Sequence, residues 1–408
     1  MNAPAPAVAE IQGLYGPFSF PEKLLQKIWL RGDFSRVNAR TTDGRSIGIG
    51  HPGKWNLLGG PDFRGARLTI GEGEPITGEV ELHLRAADWV AHGHAADRAY
   101  DGVVLHVVLF PPELGHVTRG GDGREIPVLA LLPLLFHDLE EFAAEEAVAM
   151  LAGRAAGRVP EELLALDEAV LARVLAEHAA ARWQQKVHFA RLRITRLGWN
   201  AACHHAALEI LGYRFNRAPM LHVATRWSLA EWGKGAVDTV AVFVDQAHAW
   251  SLQGVRPANH PRTRLSQYAA WSAARPDWPV RLAAMAKVES SIHGGELPVG
   301  TRNARRFGKF TALRSQIGAE ICANTLGGTR LDNLICDGFL PLWAARADGV
   351  LGESVHRWRW QHWFLGDLPP FVSRSLRELG VFGGVAQPAC HGAAQGLLGW
   401  WLARENRQ

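Results

Sequence analysis

Four side chains within a short span have the types and spacing for metal-assisted chemistry. Asp62 follows a Gly-Gly-Pro turn at the start of an expected strand, and Glu79, Glu81 and His83 alternate with Val80, Leu82 and Leu84 along the next. Period-two alternation puts the ionisable residues on one strand face and the apolar ones on the other. Two adjacent strands can bring Asp62 and Glu81 close enough to hold one divalent cation, and such oxygen ligands suit Mg²⁺ or Mn²⁺. Three ionisable side chains on one strand face need water or a metal, because an unpaired buried charge is very costly.

Further candidates surround this set. His92-Gly93-His94 followed by Asp97 is similar to the HxHxDH zinc motif of metallo-β-lactamase-like hydrolases, with the Asp one place late and the second His after it missing. Neutral imidazoles with a carboxylate can bind zinc, but a polar helix-capping loop is the favoured reading of this segment. Asp88 and His92 are four apart, so on a helix they would pair on one face, either as a carboxylate–imidazole support for a metal or as a plain surface pair. His106 stands among Val104, Leu105, Val107 and Val108. It reads as a core histidine with one hydrogen bond, able to face Glu81 and His83 if its strand neighbours theirs. Lys54, the nearest lysine to Asp62 in sequence, can supply an ammonium from another strand or stand solvated in a loop. Glu22 has capping-box spacing from Ser19 at the start of an expected helix.

The elements that must position these residues are legible as a series. After a loose Ala/Pro-rich tail over the first thirteen residues, a helix begins near Ser19, with Leu24, Leu25, Ile28 and Trp29 on one face. Strands are expected over Arg45 to Gly50, Ala66 to Ile70, Glu79 to Leu84 and Val103 to Phe110. The last, VVLHVVLF, is apolar enough to be buried on both faces. The intervening segment holds a short helical piece around Asp88, Trp89 and His92 and is long enough for a crossover, which would make its flanking strands parallel neighbours. Ile126 to Leu131 is expected to add a strand.

Order and spacing resemble the PD-(D/E)xK nuclease superfamily, whose core runs helix, three strands, helix, strand. Pro61-Asp62 matches its first motif element and Glu81-Leu82-His83 its second, with His83 where Lys is usual. The resemblance implies catalytic Asp62, Glu81 and His83, a metal held by Asp62, Glu79 and Glu81, and His83 in place of the lysine as base or ligand. It also implies that Glu22 is the first-helix acid often found in these nucleases. The runs PGKWNLLGGPDFRGA, GEVELH, DWVAHGH, VVLHVV, LGYRFNRAPM and RPANHPRTRLSQYA resemble a bacterial domain-of-unknown-function family numbered 2851, which implies a domain plan and names no chemistry.

From His137 the hydrophobic period becomes helical. The expected fold class is therefore α+β: an N-terminal mixed α/β nuclease-like sheet module over 1–135 and a mostly helical domain over 136–408. The chain has 408 residues, 47% hydrophobic and 21% charged, with net charge +4, which excludes a wholly disordered chain. Cys203, Cys322, Cys336 and Cys390 form no CxxC pair, which excludes a disulfide framework and a zinc ribbon. The start MNAPAPAVAEIQG carries no secretion signal, and no apolar run reaches membrane length, so a cytoplasmic protein with no membrane partner is expected. Residues 253–315 hold 11 basic and 3 acidic residues. Within them Arg256, Asn259, Arg262, Arg264 and Gln267 form one run, and Arg302, Arg305, Arg306 and Lys309 another. Both are candidates for nucleic-acid phosphates, sugars and bases. In His356 to Trp363 bases and aromatics interleave, and an amphipathic buried segment is the favoured reading there. Two functions follow as expectations. One is metal-dependent phosphodiester hydrolysis on DNA or RNA. The other is a non-catalytic nucleic-acid-binding or assembly protein with a decayed metal site. A zinc hydrolase through His92 and His94 stands third, and the sequence does not set the oligomeric state.

Overall fold

The computed structural model describes residues 8–13, 16–153, 161–213, 216–247, 249–253, 255–286, 297–347, 349–381 and 388–405. The chain divides into two compact units, residues 1–143 with 246–250, and residues 144–245 with 251–408. The fold class is α+β.

In the first unit, β1 (Val8–Gly13) and β2 (Gly16–Pro21) form an antiparallel hairpin. This corrects the expected tail. It also corrects the capping box, because Ser19 is opposite Glu10 within the hairpin. Helix α1 (Glu22–Arg31) instead starts from Pro21, with no side-chain cap, and ends at Gly32 in the left-handed region. Its apolar face, Leu24, Leu25, Ile28 and Trp29, is buried.

A six-stranded mixed sheet follows, built from β3 (Ile47–His51), β4 (Lys54–Trp55), β5 (Phe63–Ile70), β6 (Ile76–His83), β7 (Val103–Val108) and, after a small hairpin of β8 (Thr118–Arg119) and β9 (Glu125–Ile126), β10 (Val128–Ala130). The strand order is β10-β7-β6-β5-β3, with β4 beside β5. Strands β3, β5 and β6 meander antiparallel, whereas β7 is parallel to both β6 and β10. The parallel β6–β7 step requires a crossover. It is made by α2 (Asp88–Ala91) and two single turns, His94–Ala96 and Arg98–Tyr100. Val80, Leu82, Leu105, Val107 and Leu129 bury against the α1 face in one core. The opposite face of β6 and β7 carries Glu81, His83 and His106, and the crossover covers it.

The second unit is helical. It includes α3 (Leu139–Gly153), α4 (Glu161–Leu164), the 30-residue α5 (Glu168–Leu197) and α6 (Trp199–Leu211). Leu171 and Leu175 of α5 pack with Leu397 and Leu398 of the helix His391–Glu405 and with Val372 and Leu376. All four cysteines are free and buried. In the helix Gly349–His362 and the residue after it, Trp358, Trp360 and Trp363 are buried core, as the amphipathic reading expects.

Candidate metal centre

The register of three strands assembles the centre. Phe63 is opposite Val80, so Asp62, at the entrance to β5, lies against Glu81 of β6. Their groups interlock: the Asp62 amide donates to Glu81 Oε2 at 2.9 Å, and the Leu82 amide donates to Asp62 Oδ2 at 3.1 Å. Asp62 Oδ1 accepts from Gln26 Nε2 at 2.6 Å, and Trp55 Nε1 donates to Gln26 Oε1 at 3.1 Å. Gln26 is on α1, one turn after Glu22. The Glu22 carboxylate faces the same point, where Asp62 and Glu81 repel it, and its Oε2 is buried without a hydrogen-bond partner.

Burial pushes all three carboxyls up, and neighbouring carboxylates add to it. Glu22 rises to about 8 through burial first, then Asp62, Glu81 and Asp88. Asp62 rises to about 8 through burial and then Glu81, against the hydrogen bonds from Leu82 and Gln26. Glu81 rises to about 8 through burial, against the Asp62 amide and assisted by Glu79. Crowded carboxyls of this kind become anionic when a cation lies among them.

Imidazoles fill the other side. Glu81 is directly across from His106 in the parallel β6–β7 register. His83 Nδ1 lies 2.9 Å from His106 Nε2, and His106 Nδ1 lies 2.9 Å from Thr118 Oγ1 on β8. His83 Nε2 lies 3.1 Å from His92 Nδ1 and 3.2 Å from His94 Nε2. Glu81 Oε1 is 3.3 Å from His94 Nε2 and 3.6 Å from His83 Nε2. Gly93 makes the arrangement possible. Its φ of 74° is left-handed, and it turns the chain between two histidines so that both look back at β6. Tyr100 stacks on His94 with ring centroids 3.8 Å apart, and Trp89 stands edge-on to His83. Burial holds His83 neutral, down at about 2, and His106 at about 3, in each case helped by neighbouring histidines. His94 is also lowered by burial.

Asp62, Glu81, His83, His92, His94 and His106 are thus brought together. Other expected members are not. Glu79 is two residues further out on β6, 3.8 Å from Arg64, and its carboxylate lies over Gly102. Lys54 is exposed; β4 turns the adjacent Trp55 to Gln26, and alternation sends the lysine the other way. Asp88 does not pair with His92: it accepts from the Arg85 amide at the start of α2, while His92 turns to His83. Asp97 caps the turn Arg98–Tyr100 by accepting from the Ala99 amide. His83 has both nitrogens engaged by imidazoles and no exposed surface, which suits a ligand and not a free base. Gln26, Trp55, Tyr100 and Thr118 escape sequence reasoning. Only Gln26 leaves a signal, its i,i+4 spacing from Glu22 on a helix whose other face is apolar.

In the second unit the basic runs split. Arg264 is buried, donating to Gln267 at 2.8 Å and to Asn259 at 2.7 Å, so Asn259 is held as well. Arg305 donates to the carbonyls of His362, Trp363 and Ala389 and lies over Phe364. These are internal struts and not phosphate contacts. Arg256, Arg262, Arg302, Arg306 and Lys309 are exposed, and Arg262 borders an open groove with Thr263, Ser266, Gln267 and Thr325. Part of the basic stretch, residues 254 and 287–296, lies outside the described residues.

A family model described as "Protein of unknown function (DUF2851)" matches residues 22–243, just over half of the chain. The chain belongs to this family. The DUF2851 match begins at Glu22 itself and takes in Asp62, Glu81, His83, His92, His94 and His106. No curated protein and no solved structure gives a match. For this DUF2851 protein, none of these comparisons supports the expected likeness to PD-(D/E)xK nucleases. No helix among the described residues is long and apolar enough to cross a membrane.

Proposed function

We propose that this DUF2851 protein is a metal-dependent phosphodiester hydrolase acting on nucleic acid. The observation that carries the reading is the convergence of Glu22, Asp62 and Glu81, one buried and two half-buried carboxyls from three elements, with one Glu22 oxygen buried and without a partner. Burying three such groups together without a counter-charge is costly, and a divalent cation relieves that cost. With the two-residue β4 set aside, the order α1, β3, β5, β6, α2, β7 also resembles the helix, three strands, helix, strand of the PD-(D/E)xK core.

The donor set fits Mg²⁺ or Mn²⁺: Asp62 and Glu81 would hold the ion, with Glu22 closing the third side. Such an ion, when bound, polarises a phosphoryl oxygen and lowers the pKa of its water. The chain's own residues do the rest. Gln26 and the Leu82 amide fix the Asp62 carboxylate, and the Asp62 amide fixes Glu81. Glu22 offers an unbonded oxygen that can hold and deprotonate a water. The exposed Arg256, Arg262, Arg302 and Arg306 would guide a polyanion by charge.

The test is digestion of a mixed panel of single- and double-stranded DNA and RNA with Mg²⁺ or Mn²⁺, with Asp62→Asn as control. Cleavage by the wild type and none by Asp62→Asn supports the reading. Equal behaviour of the two, or no cleavage with either ion, removes it and leaves a binding or assembly protein.

A further inference from the structure

The carboxylates do not account for the imidazoles. His83, His92 and His94 each offer a ring nitrogen, and the three nitrogens lie within 4.8 Å of one another. For a mononuclear Mg²⁺ site this is the wrong chemistry, because magnesium prefers oxygen and water. Borderline transition ions prefer imidazole.

The geometry is also specific. A tetrahedral ion with metal–ligand distances of about 2.0–2.1 Å separates its donors by about 3.3–3.4 Å. The measured separations are 3.1 Å for His83–His92, 3.2 Å for His83–His94, 3.3 Å for His94–Glu81 and 3.6 Å for His83–Glu81. Four of the six edges of such a tetrahedron therefore fall within about 0.3 Å of the ideal, and the three imidazoles, without Glu81, make up the set in which every donor is close to every other. Hydrogen bonding among the rings does not explain this convergence well. A neutral imidazole has one N–H, and His83 Nε2 faces two nitrogens at once.

The proton inventory points the same way. If His83 donates from Nδ1 to His106 Nε2, and His106 donates from Nδ1 to Thr118 Oγ1, both donors are used and His83 Nε2 is left with a lone pair aimed at His92 and His94. Metal-bound histidines are typically oriented through the second ring nitrogen in this way.

We propose that His83, His92 and His94 form a second cation site, a three-nitrogen site for zinc or a like transition ion, with Glu81 Oε1 beside it at His83 and His94 and with His106 and Thr118 as its positioning residues. The inference deepens the hydrolase reading, since Glu81 stands between the two halves, with Oε2 toward Asp62 and Oε1 toward the imidazoles. The pocket is then built for two unlike cations, an oxygen-rich position and a nitrogen-rich one.

The experiment uses the full chain, stripped by chelator and titrated with Zn²⁺ alone, then with Co²⁺ as a visible reporter of four-coordination. One tight zinc per chain is expected, with the intense absorption of tetrahedral Co²⁺. His92→Ala and His94→Ala, in the crossover and outside the strands, should each weaken zinc by about a hundredfold or more, and Thr118→Ala by about tenfold or more. Asp62→Asn should keep zinc within a fewfold of wild type. Circular dichroism establishes that each variant is folded. Equal zinc affinity in wild type and in the His92→Ala/His94→Ala double variant overturns the inference. So does a loss in Asp62→Asn as large as that in the histidine variants, which would place the ion among the carboxylates. Zinc uptake without nucleic-acid cleavage overturns the hydrolase reading and leaves this site standing. Mn²⁺-dependent cleavage without zinc uptake does the reverse.

Discussion

Asp62 illustrates how one residue serves two purposes. Its backbone amide holds Glu81, and its carboxylate is held by Leu82 and Gln26, so the two acids are locked against each other at the cost of their own ionisation. The consequence for pH is a definite sign. In the metal-free fold Glu22, Asp62 and Glu81 keep protons up to about 8, whereas in the unfolded chain they lose them in the ordinary carboxylate range. Between those limits the unfolded state binds fewer protons, so metal-free stability falls as pH rises from about 4 to about 8. Thermal melts of chelator-treated protein should show this fall, Asp62→Asn should flatten it, and Mn²⁺ should reverse it. A metal-free melting temperature that rises over that window would contradict the burial of these groups. Substitution of His83 carries a different cost. His83→Lys restores the commoner motif letter but places an ammonium where no surface is exposed and three imidazoles converge. It is expected to destabilise by several kcal/mol and to abolish metal binding, which denaturant titration and calorimetry would check.

At the scale of elements, α1 and the crossover are what aim the side chains. Trp29 is 1% exposed, stacks on Phe34 and donates to the Pro52 carbonyl, so it seats α1 on the sheet. Trp29→Ala should cost about 3–5 kcal/mol, and by loosening Glu22 and Gln26 it should weaken Mn²⁺ more than Zn²⁺. The crossover depends on Gly93 instead. No atom would obstruct a Cβ there, so its glycine is required by conformation and not by space. Gly93→Ala should lower stability by about 1–2 kcal/mol through its left-handed backbone and weaken Zn²⁺ more than Mn²⁺. Opposite metal selectivity in the two variants is the readout. Identical losses would mean that the pocket responds as a unit. The amphipathic face of α1 and the alternation in β6 were readable from spacing alone. The hairpin of β1 and β2 was not, because Ala- and Pro-rich composition masked a strand that is held by cross-strand pairing.

At the scale of the whole molecule, charge density proved a poor guide to function until burial was known. Arg302, Arg305 and Arg306 are near neighbours in sequence, yet the middle one is tied to three carbonyls while the outer two meet solvent. Arg305→Ala is expected to cost about 2 kcal/mol or more, because it strands acceptors that a guanidinium satisfied. The Arg302→Ala/Arg306→Ala double variant should leave stability within about 1 kcal/mol and reduce the salt slope of nucleic-acid binding. Chemical denaturation and binding titrations across a salt series separate the two effects. An unchanged slope in the double variant would remove these residues from any nucleic-acid surface.

Sequence alone determined the class and the order of α1 and the longer sheet strands, because hydrophobic period and turn chemistry are local. It also determined that Glu81 and His83 share a strand face and that a crossover could set β7 parallel to β6. Which acids and imidazoles meet was decided only in three dimensions. Glu22 and Asp62 are far apart along the chain, and the approach of their carboxylates depends on how α1 seats on the sheet. His92 and His94 look like loop polarity until Gly93 turns them onto His83. Asp88, Lys54 and Glu79, equally promising by residue type, are carried elsewhere by a cap, a strand face and an ion pair. Residue type and spacing state what a side chain can do. Register, backbone handedness and burial decide what it faces, and those are set by the packing of the whole sheet.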